Sequence, residues 1–208
     1  METRKTTFGA KQIALTAMLT AIVAVLQLLG NYVQPIPGVS LSLVLVPIVL
    51  GAALLGPMAG AWLGFVFSVM VLVTGGATAF LPISAIGTVL TVLVKGTCAG
   101  YCAGLVFKAL SKLNQYLAII CAAITAPVVN TGLFLVGCKL FFWPTIIEWG
   151  KGAGFENPVA YAFLGLAGIN FLVELGINVI LAPVILRLLW IGRVMSVVKV
   201  GSEKDSAN

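Results

Sequence analysis

Residues 40–74 read SLSLVLVPIVLGAALLGPMAGAWLGFVFSVMVLVT, and the fold turns on how this stretch is divided. It contains no Asp, Glu, Lys or Arg. As one helix it would reach roughly 52 Å at about 1.5 Å per residue, well beyond a hydrocarbon core of about 30 Å. Gly56-Pro57 falls near its middle. Proline cannot continue a helix interior, and glycine takes the backbone conformations that end one. The stretch therefore reads as two short apolar spans, 40–55 and 58–73, joined by a tight turn.

Outward from this turn the chain repeats the pattern of apolar run and break. A first span covers 11–30, and Pro35, Pro37 and Gly38 follow it. Gly75, Gly76 and Pro82 mark the break after the third span. Further spans are expected at 83–110, 116–142 and 159–191. A polar turn at 111–115 and a longer loop at 143–158 separate them, and a polar tail ends the chain. The basic N-terminus followed by an apolar run has the outline of a signal peptide, but the run continues to Leu29, longer than such regions usually are. It is read as a retained span. The expectation is an all-α integral membrane protein, one membrane domain over 1–208 built as a six-transmembrane-helix bundle.

Composition supports this class. Of 208 residues, 61% are apolar and 9% charged, whereas a soluble domain carries about a quarter charged residues. Such a chain cannot cover its own surface with polar groups, and it is too apolar for disorder. Histidine is absent. That removes the commonest general base and every histidine-containing metal site, so neither an enzyme nor a metal or cofactor site is expected. Cys98, Cys102, Cys121 and Cys138 lie within apolar runs and lack redox or zinc spacing; they read as small packing residues.

The net charge of +6 is a topology signal rather than a nucleic-acid one. With six spans, Arg4, Lys5, Lys11, Lys108, Lys112, Arg187, Arg193, Lys199 and Lys204 share the side of the termini, and Lys139 and Lys151 lie opposite. The positive-inside rule then places both termini in the cytoplasm. Merging the second and third spans would move Lys108 and Lys112 to the wrong side.

Small residues form stripes. Gly96, Gly100 and Gly104 recur every four residues, as do Gly60 and Gly64, and such stripes let helix backbones approach closely. Ala10, Ala14, Ala17, Ala21 and Ala24 give the first span a nearly continuous alanine face. It packs within the bundle or docks another protein.

Ionisable groups within spans cost about 2.5–3.5 kcal/mol on insertion scales and are functional candidates by default. Lys95 and Glu174 both fall near mid-depth. They read as a structural ion pair, as a floor on which Lys95 anchors a substrate carboxylate, or as both. Asn170, Glu174 and Asn178 form a polar stripe, and Asn130 lies at similar depth. Asn130 and Asn170 are placed where a solute arriving from outside is met first, and Asn178 reads as structural. The outer breaks offer Tyr32 and Gln34, then Thr78 and Phe80, then Trp143.

The ordered set of these features resembles the membrane-embedded S components of energy-coupling factor (ECF) vitamin transporters. The resemblance covers nearly the whole chain. It rests on the six-span size, the basic N-terminus, the alanine-rich first span and Leu55-Gly56-Pro57-Met58-Ala59-Gly60. Lys95-Gly96 with Ala99-Gly100, and Gly168-Ile169-Asn170-Phe171 with Ala182-Pro183, complete it. The closest group is the one containing pantothenate, folate and riboflavin S components. The resemblance implies that outer loops cap a water-soluble vitamin held in the outward half of the bundle. The expected contacts are Tyr32, Gln34, Thr78, Phe80, Lys95, Asn130, Trp143, Asn170 and Glu174. It implies that Ala14, Ala17 and Ala21 face a transmembrane coupling subunit, which with two cytoplasmic ATPase subunits drives import across a bacterial cytoplasmic membrane. The chain has no phosphate-binding loop of its own. A stand-alone secondary transporter of a small organic anion is the alternative; it would want an ion relay and repeated halves, and one deep carboxylate with no visible repeat speaks against it.

Overall fold

The computed structural model describes residues 9–32 and 43–205. Helices α1 (Ala10–Tyr32), α2 (Leu45–Leu55), α3 (Pro57–Val73), α4 (Ala85–Leu110) and α5 (Gln115–Phe141) come first. A short α6 (Trp143–Gly152) and a single turn α7 (Pro158–Ala160) follow. A π-helical segment, Tyr161–Gly168, then runs directly into α8 (Ile169–Asp205). No strand occurs among the described residues.

Among the described residues, four helical stretches are long and apolar enough to cross a membrane: Gln12–Gly30, Ala85–Leu110, Gln115–Phe141 and Pro158–Leu188. The two spans read from residues 40–74 are shorter. α2 has 11 residues and α3 has 17, which corresponds to about 16 Å and 25 Å of helix. They form the expected hairpin about Gly56, whose φ of 98° suits glycine, with Pro57 opening α3 where its missing N–H costs nothing. An added Cβ on Gly60 would press on Ala52, and one on Gly51 would overlap the Leu63 side chain, so the pair runs antiparallel with almost no gap.

The next seam is closer still. A Cβ on Gly60 or Gly64 would overlap the carbonyl oxygen of Gly100 or Gly96, and one on Gly104 would strike Pro57. The small-residue stripes of α3 and α4 thus meet backbone to backbone, antiparallel. Lipid tails are as apolar as leucine, so helices in a bilayer associate through such van der Waals contact rather than through a hydrophobic drive. Alanines continue the principle on the far side. Ala103, Ala118, Ala122, Ala126 and Ala182 are buried in one cluster with Val49 and Ala53, where α2 and α5 pack between α4 and α8.

Among the described residues, α1 leans on α2 and α3. Leu19 and Val23 are buried against the hairpin, and Trp62 Nε1 donates a 3.2 Å hydrogen bond to Thr20 Oγ1. Ala14, Ala17 and Ala21 lie on the opposite side of the helix and are exposed.

Three elements depart from the sequence reading. Residues 143–158 are not one loop, because Trp143–Gly152 folds as α6. Its Ile146 is fully buried and packs with Cys138, Phe142 and Ala162. The last span opens as a π-helix, which no apolar pattern announced. Beyond residue 191, where a tail was expected, the helix continues to Asp205.

Candidate functional site

α3 stops at a glycine-dependent cap. Gly75 has φ 81°, Gly76 N–H donates to Val71 O at 2.9 Å, and Gly75 N–H reaches Leu72 O at 3.4 Å. These are the two bonds of a Schellman motif. A run of turns then carries the chain to Ser84, whose Oγ accepts from Gly87 N–H and starts α4. Gly75-Gly76 is therefore a defined helix stop, and its place sets Phe80 over the bundle. The Phe80 ring meets Phe142 at 5.0 Å, Trp149 at 5.5 Å and Phe134 at 5.8 Å between centroids.

Beneath Phe80 lies a cavity of about 210 Å³, a volume on the order of seven liquid-water molecules at about 30 Å³ each. Thr88, Thr91, Val92 and Lys95 form the α4 wall. Asn130, Thr131 and Phe134 come from α5, and Leu166, Ala167, Asn170, Phe171 and Glu174 from the π-helical segment and α8. Val71, Gly76, Ala77, Phe80 and Phe142 complete the lining. π-Helical turns recur at functional sites, and here the turn supplies part of the wall.

Polar and aromatic groups share this chamber. Lys95, Asn130, Asn170 and Glu174 contribute its charged and amide groups; Phe80, Phe134 and Phe142 contribute its rings. Lys95 Nζ lies 5.2 Å from the Phe134 ring centre, within cation–π range. Glu174 is 8% exposed and close enough to attract Lys95 electrostatically. Asn178, fully buried one turn deeper, donates from Nδ2 to Glu174 O at 2.8 Å and fixes that turn. The chamber thus offers one cation, one carboxylate and several hydrogen-bonding groups in a setting where each is dear to desolvate.

Of the residues expected from the sequence to touch a substrate, the cavity brings together Phe80, Lys95, Asn130, Asn170 and Glu174. Thr78 and Trp143 do not line it. The Thr78 hydroxyl donates to Gly75 O at 2.9 Å within the turn. The Trp143 ring packs beneath Lys139, whose Nζ sits 3.7 Å from the ring centre. Tyr32 is the last residue of α1, and Gln34 lies outside the described residues. Sequence reasoning missed Thr88, Thr91, Phe134, Phe142 and Phe171. The threonines fall on the Lys95 face of α4 at helical spacing, a signal available once Lys95 is taken as an anchor. No cluster of three or more His, Cys, Asp or Glu that could hold a metal occurs among the described residues.

Long apolar helices around an internal chamber lined with charged and amide groups define a multi-pass membrane protein built around a solute-sized space. Residues 11–186 match the family of the ECF transporter substrate-specific component, and the chain belongs to that family. It is a substrate-specific transporter subunit, from a family that works with a transporter module and is not enzymatic in general. No curated protein and no solved structure matches the chain.

Proposed function

We propose that this subunit captures a water-soluble vitamin from outside a bacterial cytoplasmic membrane and delivers it inward when coupled to an ATPase module. The observation that carries this reading is the chamber itself: Lys95 and Glu174 within one aromatic-walled cavity of about 210 Å³. Two charges within apolar helices are costly, and a role in binding would offset that cost. Pantothenate comes first among the vitamins, with folate and riboflavin next. Its carboxylate suits Lys95, and its hydroxyl and amide groups suit the asparagines.

In this reading six helices cross the membrane, α2 and α3 among them, with both termini in the cytoplasm. The exposed face of Ala14, Ala17 and Ala21 docks the transmembrane coupling subunit, which in turn engages two cytoplasmic ATPases. Its exposure supports this: Leu19 and Val23 are buried on the hairpin behind, while the side carrying Ala14, Ala17 and Ala21, with Met18, Val25 and Leu28 beside them, is left open and apolar. Tyr32, Gln34, Thr78 and Trp143 belong to the segments capping the chamber.

Reconstitution tests the proposal. Purified protein in liposomes is expected to bind labelled pantothenate, folate or riboflavin without ATP, and to transport it only when the coupling subunit and ATPases are present with ATP. Rapid uptake by the chain alone, driven by an ion gradient, would sink it.

A further inference from the structure

Four threonines within the described helices share one habit. Thr16, Thr20, Thr88 and Thr125 each donate their hydroxyl to the backbone carbonyl four residues earlier, at 2.7–2.8 Å. This back-bond is the ordinary way a helix satisfies a hydroxyl away from water. Thr91 departs from it. Its residue is 7% exposed, its Oγ1 is buried, and that atom has no hydrogen-bond partner. On the facing helix α5, Asn130 is 6% exposed and its Oδ1 likewise has none. Both residues line the same chamber as Lys95.

A buried polar atom left unmet is costly, whereas an apolar group of the same shape in its place is nearly neutral or stabilising. Valine would fill the Thr91 position without an oxygen. We propose that Thr91 Oγ1 and Asn130 Oδ1 form an acceptor pair that reads hydrogen-bond donors on the bound solute. The solute class follows: a small molecule presenting hydroxyl or amide N–H groups beside whatever part of it meets Lys95. Asn130 Oδ1 can only accept, and the Thr91 hydroxyl can accept as well as donate, so this edge favours a donor on the solute. The inference rests on the chain being a vitamin-binding subunit, and it assigns to Thr91 a recognition role that Lys95 cannot supply, because an ammonium only donates.

The test uses Thr91→Val, Thr91→Ser and Asn130→Leu in the full-length protein. Melting is followed without ligand, and equilibrium binding is measured with pantothenate, riboflavin and folate as probes. Thr91→Val is expected to raise the ligand-free melting temperature by roughly 2 °C or more while weakening binding of the preferred probe about tenfold. Thr91→Ser, which keeps the hydroxyl, is expected to retain most of the affinity, and Asn130→Leu to lose it. Opposite movement of stability and affinity is the signature; a structural hydroxyl gives a lower melting temperature instead. Unchanged affinity in Thr91→Val, or a fall in its ligand-free melting temperature, would overturn the assignment. Failure of the wild type to bind any of the three probes would count against the vitamin-binding reading, and the direction of the melting shift would still decide whether the hydroxyl is unmet.

Discussion

The two halves of α4 do opposite things with the same backbone. From Gly96 onward it gives up side chains, and Gly96, Gly100 and Gly104 lie so close to α3 that a methyl group finds no room. From Thr88 to Lys95, past the close contact of Gly87 with Phe141, it keeps them, and Thr88, Thr91, Val92 and Lys95 border a chamber. One half gains stability from contact, and the other forgoes it. The structure thus closes its packing directly beside the chamber, with Lys95 and Gly96 adjacent in sequence. A site that must hold unmet polar groups in a bilayer needs such a neighbour, since the chamber contributes little stability of its own.

Substitutions can break this division. The largest effect is expected at the seam. Gly64→Leu or Gly100→Leu meets backbone, which cannot swing aside, and is expected to cost about 3 kcal/mol or more, read as lost folded yield and a lower melting temperature. Tolerance of leucine there would mean that the seam is looser than its geometry. Next comes the chamber. Lys95→Ala is expected to weaken an anionic vitamin by roughly tenfold to a hundredfold, as for loss of a charged hydrogen bond, with a smaller effect on melting. A variant that binds normally would leave Lys95 as a structural partner of Glu174 alone.

Smaller effects lie behind the seam, where α1 attaches. Trp62→Phe removes the donor to Thr20 and is expected to cost about 1 kcal/mol, measured by melting, with vitamin affinity unchanged. Ala17→Leu or Ala21→Leu enlarges an exposed face, so stability should shift by no more than about 0.5 kcal/mol. ATP-driven uptake should nonetheless fall while binding persists. Equal loss of binding would remove α1 from the docking role.

Much of this division was legible in the chain. Gly56-Pro57 placed the hairpin because glycine admits a positive φ and proline fixes its own, with no help from neighbours. Lys95, Asn130, Asn170 and Glu174 stood out because a polar group in an apolar run is rare at any depth. Thr91 did not, because threonine in a helix ordinarily satisfies itself, and only the three-dimensional arrangement reveals that this one does not. The π-helical segment was hidden because its residues, YAFLGLAG, favour no particular hydrogen-bond register. α6 was hidden by Pro144 and its glycines, which read as loop signals but occupy its ends. Thr78 and Trp143 were legible by their chemistry alone, which leaves open what each engages. Each has the chemistry of a ligand contact, and each gives it to a neighbour: Thr78 to the Gly75 carbonyl, Trp143 to Lys139.

The central claim is that the chamber holds a vitamin without help from ATP. Mass spectrometry of small molecules extracted from the purified full-length protein tests it most directly. The account predicts one vitamin, pantothenate first, at close to one molecule per chain from wild type and much less from Lys95→Ala. Extracts that contain no vitamin after growth in its presence, or the same amount from both proteins, would contradict it.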